Sequence, residues 1–436
     1  MDADVRQKYR LSTLSVLILA GAALRLLFLR GRSLWFDEGT TLMLSRVPLS
    51  ALFDFVVRDE VMPPLYHLLM HIWLRFFTDP LLGIRLFSAL CGIAALAAFR
   101  RLAERILPER ARLLAVFLAA FSSYWIHLAQ DGRVYALLIL ISVLITTDAF
   151  DLDERPTPRL WARYAALAAF GLWTHYYFAV LLATHAAWLV FRWRHSRREL
   201  AHLVAAHAAA GLLFLPWAGS FLRQFPLHRH IIANGDALTL RHTLDLYGTM
   251  FFDVGFLGLV LPAWIAPAAG GAFAIVAAAA VRGGTGQERR AAVFCLAHIA
   301  IPFVLIALVE AWCGRPVTQS RFFAPLSPVV YLLTALVLAS PGAGRRVLRL
   351  SCEALVAAGA VGWFTSVRLI DPHLGALAAS IRAATAPSLP LVYLDTYYYL
   401  PMRAYYLPER RHYLVARAAE GMDYASYPPY DGVLDD

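Results

Sequence analysis

Lysine is almost absent from this chain of 436 residues, because Lys8, in the polar amino-terminal tail, is the only one. A phosphate-binding loop of the nucleoside triphosphatase type and a Schiff-base site each need a lysine within the site. The sequence therefore excludes both chemistries. Cysteine is scarce as well, and the four cysteines show no C-x-x-C spacing. Neither a zinc site nor a disulfide framework is predicted.

Charged residues are also few. They make up 16% of the chain, whereas 60% of the residues are hydrophobic, and the mean hydropathy is +0.58. This leaves too little polar surface for a water-soluble globule, and the long apolar runs predict an all-α polytopic membrane protein. The net charge of +10 is due to arginine in loops, without a basic stripe interleaved with aromatics, so no nucleic-acid partner is predicted.

Apolar segments long enough to cross a bilayer recur along the chain, about eleven in all for spans of roughly 20 residues. Arginine-rich loops follow every even-numbered segment, beginning with Arg100 and Arg101 after the second. Because arginine collects on the cytoplasmic side, the amino terminus is predicted to be cytoplasmic and residues 371–436 to lie outside. The predicted spans are residues 11–29, 82–98, 113–128, 135–150, 161–173, 177–191, 204–221, 256–281, 291–311, 325–338 and 354–370.

Two domains are predicted. Residues 1–370 form the transmembrane domain, whose first outer loop, residues 30–80, carries two amphipathic interfacial helices over residues 40–57 and 65–77. Residues 371–436 form a small α/β appendage with its own sequence pattern. The elements predicted in it are a helix over residues 374–384 and strands over residues 389–394 and 412–415.

The adjacent carboxylates Asp37 and Glu38 stand where the chain first leaves the membrane, directly after Trp35 and Phe36. Carboxylates in aromatic surroundings at a bilayer surface are costly to desolvate, and such groups serve proton transfer, cation binding or recognition. The alternative is that the pair only charges the first turn of an interfacial helix, which contributes about 0.3 to 1 kcal/mol.

Several short motifs occur in an order and spacing that resemble the bacterial branch of the GT-C membrane glycosyltransferases. That branch groups with the protein O-mannosyltransferases, the lipid A aminoarabinose transferase and the galacturonosyl transferases of lipopolysaccharide. The motifs are LWFDE at residues 34–38, PPLYHLL at 63–69, GIRLFSAL at 83–90, QDGRVYAL at 130–137, THYY at 174–177, LPW at 215–217, RFFAP at 321–325, LVYL at 391–394 and RAYYL at 403–407.

The resemblance implies a GT-C bundle and an inverting transferase in the bacterial inner membrane. Such an enzyme takes a sugar from a polyprenyl phosphate and places it on a cell-envelope acceptor, which is lipid A, lipopolysaccharide, another glycan or a protein, on the periplasmic side. The expected partners are this donor, this acceptor and membrane lipids. No cofactor is certain, and a divalent metal is left open.

The resemblance maps the base that deprotonates the acceptor hydroxyl onto Asp37, with Glu38 orienting the base or the acceptor. The departing phosphate needs cations, and a guanidinium can bind two phosphate oxygens at once. Arg133, Arg315 and Arg321 are the candidates because they lie at the outer ends of spans. The alternative is that these arginines only extend to lipid headgroups.

A substrate pocket is predicted from Glu60, Tyr66, His67, His175 and Tyr176. For Glu60 the alternative is a solvated turn, and for His175 and Tyr176 it is an aromatic belt at the membrane interface.

The first outer loop offers two histidines as possible metal ligands. His67 and His71 are spaced i, i+4, which suits a metal ion, and Glu38 or Glu60 could complete the ligand set. Two histidines alone are a poor signal, and no metal-binding residue is assigned. Arg85 is expected to pair with Asp79 or with a loop carbonyl.

Two other classes of protein compete with the enzyme. A secondary transporter or lipid flippase needs ionisable residues near the middle of several spans and related halves of the chain. A non-catalytic envelope scaffold or receptor does not need acidic and basic groups that converge on one outer chamber. The charged residues inside the predicted spans lie near their ends, and no persuasive repeat is found.

The predicted orientation can be tested with single cysteines in intact cells. A cysteine at position 420 should react with a membrane-impermeant maleimide added from outside, because residues 371–436 follow an odd number of spans. A cysteine at position 155, in an arginine-rich loop, is the matched inner-side control. Labelling of position 420 only after the inner membrane is opened would overturn the topology.

Overall fold

The computed structural model describes residues 3–58, 62–231, 239–251, 271, 286–314, 319–339, 343–370, 373–393, 396–416 and 433–435. These residues are mainly helical. In chain order the helices are α1 (Ala3–Leu26), α2 (Phe36–Leu44), α3 (Leu49–Arg58), α4 (Leu65–Trp73), α5 (Pro80–Ile106), α6 (Glu109–Phe121), α7 (Ser123–Gln130), α8 (Tyr135–Glu154), α9 (Pro158–Thr174), α10 (Phe178–Trp193), α11 (Arg197–Ile231), α12 (Leu240–Thr249), α13 (Gly286–Cys313), α14 (Ser327–Leu338), α15 (Ala343–Ile370), α16 (Leu374–Ala384) and α17 (Thr396–Pro401).

Six of the described helical segments are long and apolar enough to cross a membrane, or seven if α6 and α7 count as one broken span. The helices α1, α9 and α10 cover three further predicted spans. The eighth predicted span, residues 256–281, lies outside the described residues except for residue 271, so the number of spans stays a prediction. The six segments are Pro80–Ile106, Tyr135–Glu154, Arg197–Gln224, Gly286–Cys313, Ser320–Leu338 and Arg346–Thr365.

The centre of the bundle is formed by α5, α8 and α14. Almost every residue of α14 and most of α8 are buried, whereas α11 and α15 expose many large apolar side chains, among them Leu212 and Val361. A helix that is apolar on all sides and buried is the centre of a membrane bundle, and exposed apolar faces suit lipid.

The third predicted span, residues 113–128, is not one helix. The chain bends by 47° between α6 and α7. Ser122 lies at the bend, where its Oγ accepts from the amide of Trp125 at 3.3 Å and contacts the Tyr331 hydroxyl at 2.7 Å. Ser122 therefore caps the amino-terminal end of a new helix. Hydropathy alone does not predict such a cap within an apolar segment.

The first outer loop also differs from the prediction. The single helix expected over residues 40–57 is wrong, because α2 ends at Leu44 and α3 begins at Leu49. Pro48 lies between them, and proline has no amide hydrogen to continue a helix. The second helix, predicted over residues 65–77, is confirmed as α4 with a short 3₁₀ turn, Leu74–Phe76.

The carboxyl-terminal segment contains the predicted helix, α16, with the predicted bounds. The two predicted strands are β1 (Leu391–Tyr393) and β2 (His412–Ala416). A third strand, β3 (Val433–Asp435), was not predicted. The sheet is parallel with the order β1-β2-β3. Whether residues 371–436 form a separate domain stays a prediction.

This segment packs against the outer loop that carries the acidic pair. The amide of Leu34 donates to the Tyr406 hydroxyl at 3.0 Å, and Arg46 Nη1 donates to the carbonyl of Ala404 at 2.7 Å. Gly39 in α2 lies so close to α17 that an added Cβ would stand 3.1 Å from the Leu400 Cβ. The carboxyl-terminal residues therefore form one wall of the region around α2.

Candidate active site

Glu38 is fully buried in the first turn of α2 and is held by Arg85 from α5. Arg85 Nε donates to Glu38 Oε1 at 2.8 Å, and Nη2 donates to Oε2 at 2.6 Å. Such a two-point contact between guanidinium and carboxylate fixes orientation as well as charge. The three other donations of Arg85 go to the carbonyls of Leu29, Arg32 and Ser33, at 2.8 to 3.0 Å.

Of the two partners expected for Arg85, Asp79 or a loop carbonyl, the structure shows loop carbonyls. Asp79 caps α5 by accepting from the amide of Leu82 at 3.1 Å and pairs with Arg30 at 2.7 Å. Asp79 is closer to Arg85 in sequence, but Glu38 is the more deeply buried carboxylate. A buried charge without a partner costs more free energy than an exposed one, so Arg85 pairs with Glu38.

The turn after α7 completes the surroundings of Glu38. The amide of Gly132 donates to Glu38 Oε1 at 2.8 Å. Asp131 lies alongside, where its Oδ1 accepts from Trp35 Nε1 at 2.8 Å. Arg32 Nη2 reaches both carboxylates, at 3.4 Å from Glu38 Oε1 and 3.3 Å from Asp131 Oδ1.

The two buried carboxyls have opposite pKa shifts. Burial opposes the ionisation of Glu38, but the charges of Arg85 and Arg32 hold its pKa well below the usual range. Burial raises the pKa of Asp131, and the charge of Glu38 adds to this rise. Of the two carboxyl groups, Glu38 is therefore the one that ionises more readily.

Asp37 lies beside this cluster but is not locked into it. Its side chain is 17% exposed, and Oδ2 accepts from Arg321 Nη1 at 2.9 Å. Arg133 Nε lies 3.8 Å from the same oxygen, and Arg133 Nη1 donates to the Asp37 carbonyl and to Thr41 Oγ1, at 3.3 Å each. Asp37 is thus an accessible carboxylate between two guanidinium groups.

The two arginines differ in exposure. The Arg133 side chain is 6% exposed, so it does not extend to lipid headgroups as the alternative required. The Arg321 side chain is 32% exposed and lies over the rings of Trp35 and Tyr135, with 5.7 Å to each centroid. Its Nε donates to Gln319 Oε1 at 2.9 Å. Within the described ranges, Arg321 Nη2 has no protein partner.

His175 is joined to this site through aromatic contacts. Its ring centroid lies 5.3 Å from that of Phe322 and 6.1 Å from that of Tyr135, and Nδ1 accepts from the amide of Tyr177 at 3.1 Å. Because Phe322 follows Arg321 and Tyr135 lies under its guanidinium, His175 belongs to the aromatic wall beside Asp37.

Tyr66 and His67 are both buried in α4. Their ring centroids lie 5.9 Å apart, and Tyr66 also packs edge-on against Phe87, at 6.2 Å. These contacts place the pair in the packed interface between α4 and α5. Their predicted role in a substrate pocket stays a prediction.

Tyr176 lies in a second cluster, between α11 and the outer loop. Its hydroxyl donates to Gln224 Oε1 at 2.6 Å and accepts from Trp217 Nε1 at 2.8 Å. Gln224 in turn donates to the carbonyl of Val56 in α3. Tyr176 therefore fastens α11 to the outer loop, and its role in a sugar pocket stays a prediction.

Two predicted residues, Glu60 and Arg315, lie outside the described residues. Within the described ranges, no group of three or more histidine, cysteine, aspartate or glutamate side chains could hold a metal ion. His71 does not complete a site with His67, since its Nε2 lies 2.8 Å from Arg75 Nη2.

Trp35, Asp131 and Gly132 are among the residues of the site that were not predicted in these roles. Each lies inside a motif on which the family resemblance rests. The motifs can be recognised in the sequence. That Glu38 of LWFDE contacts Arg85 of GIRLFSAL and Gly132 of QDGRVYAL cannot be predicted from them. That pairing depends on the packing of α2 against α5 and the turn after α7.

Part of the chain matches a known protein family. Residues 61–218 match a family model described as dolichyl-phosphate-mannose-protein mannosyltransferase. This region is a GT-C glycosyltransferase domain, and the predicted enzyme class is confirmed for it. No curated protein matches the chain in sequence.

Solved structures extend the comparison to almost the whole chain. ArnT from Cupriavidus metallidurans bound to undecaprenyl phosphate superimposes with a TM-score of 0.64 at 17% identity, over 98% of this chain and 90% of that chain. The chain has the GT-C fold.

Two further structures agree with this fold. The apo state of the same ArnT gives a TM-score of 0.61 at 16% identity, over 99% of this chain and 90% of that chain. The archaeal oligosaccharyltransferase AglB from Archaeoglobus fulgidus, in complex with an inhibitory peptide and a dolichol-phosphate, gives 0.50 at 13% identity, over 93% of this chain and 64% of that chain. The predicted GT-C bundle is confirmed.

The Arg85 contact yields a stability prediction for this GT-C chain. Arg85→Met should lower the free energy of unfolding by about 3 to 5 kcal/mol, because it leaves the buried charge of Glu38 unpaired. Unfolding of the purified protein in detergent measures the loss. Arg30→Met is the matched control, since it breaks the Asp79 pair of an arginine that is 64% exposed and should cost less than about 1 kcal/mol. Equal stability of the two variants would contradict the role of the buried pair.

Proposed function

We propose that this chain is an inverting glycosyltransferase that moves a sugar from a polyprenyl phosphate to a hydroxyl group of a cell-envelope acceptor. The observation that carries the proposal is the partly exposed Asp37 carboxylate, which lies 2.9 Å from the Arg321 guanidinium and has Arg133 behind it. A base and a phosphate-binding cation thus stand together at one outer site. The lipid phosphates bound by ArnT and AglB support this class of donor.

The reaction proposed at this site is a single displacement. The acceptor hydroxyl gives its proton to Asp37 as its oxygen bonds to the anomeric carbon. The bond from that carbon to the phosphate oxygen breaks on the opposite face, so the configuration inverts and polyprenyl phosphate leaves with the bonding electrons. Arg321 stabilises the added negative charge through Nη2, the donor that has no protein partner in the described part of the chain.

Arg133 supports the base during this step. When Arg321 Nη2 binds a donor phosphate, the charge of Arg321 is shared between that phosphate and Asp37. The 3.8 Å contact with Arg133 Nε then remains, and the bond of Arg133 to the Asp37 carbonyl holds the first turn of α2 in place. Asp37 therefore keeps a cationic neighbour and its direction in both situations.

Glu38 has a different role in the proposal. Because it is fully buried and bonded to Arg85 and Gly132, an acceptor has no access to it. Glu38 instead fixes the first turn of α2 and thereby the direction of Asp37. This favours the reading in which Glu38 orients the base over the one in which it orients the acceptor.

The proposed setting is the bacterial inner membrane, with the site on the periplasmic side. The arginine distribution supports this orientation. The acceptor is lipid A, lipopolysaccharide, another glycan or a protein. Transfer of labelled sugar, measured with one class of acceptor at a time, distinguishes these four. A divalent metal stays open, although the cationic partners seen at Asp37 are arginines.

The first test of this function is Asp37→Asn, which keeps shape but removes basicity. Loss of a positioned base typically lowers turnover by about 10² to 10⁴. The measurement is transfer of labelled sugar from polyprenyl phosphate by folded protein that still binds donor. Asp54→Asn is the matched control, because Asp54 lies in the same loop, is 49% exposed and pairs only locally with Arg58. Turnover of Asp37→Asn within about tenfold of wild type would remove the base role.

The second test is Arg321→Lys. The charge is kept but the planar fork is lost, so donor affinity should fall by about tenfold, which corresponds to ~1.4 kcal/mol. Titration with a polyprenyl phosphate in detergent measures the dissociation constant. Arg58→Lys, at a 68% exposed arginine of the same outer loop, is the control and should bind like wild type. Unchanged donor affinity in Arg321→Lys would leave only an anchoring role for this arginine.

A further inference from the structure

Arg25 is a fully buried arginine in the first span, and the site described above does not use it. An ionised group inside a membrane bundle is costly, so it persists only where it has a specific task. Arg25 Nη2 donates to the carbonyl of Ala119 at 2.9 Å, and Nη1 donates to that of Ala120 at 3.1 Å. Nη1 also bonds to the carbonyl of Gly21, one turn earlier in α1, at 2.8 Å.

The two carbonyls from Ala119 and Ala120 belong to the last turn of α6, just before the 47° bend. In an uninterrupted helix they would accept from the amides of Ser123 and Tyr124, which lie beyond the bend in α7. Arg25 takes the place of those amides. A cation at the carboxyl end of a helix is also favoured by the helix dipole. Arg25 therefore satisfies the carbonyl groups that the bend releases.

The far end of α7 is held by the same span. Gln130 Nε2 donates to the carbonyls of Leu24 and Leu27, at 2.9 and 2.7 Å, and Gln130 Oε1 accepts from Trp363 Nε1 at 3.0 Å. The end of α1 thus binds the last turn of α6, before the bend, and the last residue of α7. Gly92 in α5 lets this junction close, since an added Cβ there would stand 2.5 Å from the Ala129 Cβ and 3.4 Å from Arg25 Nε.

The turn that follows α7 carries three groups of the site, namely Asp131, the Gly132 amide and Arg133. The Gly132 amide binds Glu38, and Arg133 lies against Asp37. The direction in which α7 leaves the bend therefore decides where these groups meet α2. A helix of eight residues is about 12 Å long, so a change of about 10° at Ser122 moves its far end by about 2 Å.

We propose that Arg25 is a positioning residue for glycosyl transfer, which holds the α6–α7 bend open so that α7 presents Gly132 to Glu38 and Arg133 to Asp37. The inference rests on the proposed function for its kinetic consequence. Its structural consequence, the direction of α7, does not depend on any activity.

The structural arm of the test is hydrogen exchange of the full-length protein in detergent. Arg25→Lys keeps the charge but loses the planar fork that binds the Ala119 and Ala120 carbonyls through two nitrogens. The Gly132 amide should therefore exchange at least about tenfold faster than in wild type, because local opening at this turn becomes easier. Amides of α8 should be unchanged. Tyr164→Phe is the matched control, since Tyr164 is fully buried in α9 and bonds to His185. Wild-type exchange at Gly132 in Arg25→Lys would overturn the proposal.

The kinetic arm is a double-mutant cycle on turnover of a polyprenyl phosphate sugar. Arg25→Lys should lower kcat by about tenfold in the wild-type background but by only about threefold in Arg133→Gln, since the part of its effect that acts through Arg133 and Asp37 is already lost there. A variant that acts independently of Arg133 should lower kcat by the same factor in both backgrounds, and Tyr164→Phe is expected to behave in this way. Multiplicative effects of Arg25→Lys would overturn the positioning role. If wild-type protein transfers no sugar from any donor, the proposed function fails, and the exchange at Gly132 still decides the role of Arg25.

Discussion

The bidentate pair between Arg85 and Glu38 is the interaction on which the outer site depends. A carboxylate with no exposed surface is stable only if cations and donors replace the lost water. Arg85 supplies two donors to this carboxylate, and its others close the loop after α1 by binding carbonyls of residues 29–33. One side chain from α5 thus joins the end of α1 to the start of α2. The partly exposed carboxylate of Asp37, which pairs with Arg321, is presented from that frame.

Neighbouring acidic residues acquire different tasks because a helix turns by about 100° per residue. Glu38 faces the bundle and is enclosed, whereas Asp37 faces the outer site and keeps part of its surface exposed. Two carboxylates on the same face would compete for the same arginines. The helical geometry of α2 separates them, so that one stabilises the fold and the other remains available for chemistry.

Hydropathy and arginine spacing predict most of the helices, because burial in lipid demands long apolar segments. The motifs also predict Asp37, Arg133 and Arg321, and the structure brings these three together. What the sequence does not predict is set by contacts between distant residues. The partner of Arg85 lies 47 residues away, and the Gly132 amide lies 94 residues from Glu38. Local proximity pointed to Asp79 instead. The breaks at Pro48 and Ser122 were missed because neither interrupts the apolar pattern.

The contact between α2 and the carboxyl-terminal segment has a consequence for biogenesis. The Leu34 amide and its partner, the Tyr406 hydroxyl, are separated by 372 residues. During synthesis the acidic turn therefore leaves the ribosome long before the residues that pack against it exist. Insertion of the earlier spans can proceed with an incomplete site, and a segment translated 372 residues later supplies its missing wall. Assembly of the site is in this way tied to translation of the segment that contains Tyr406.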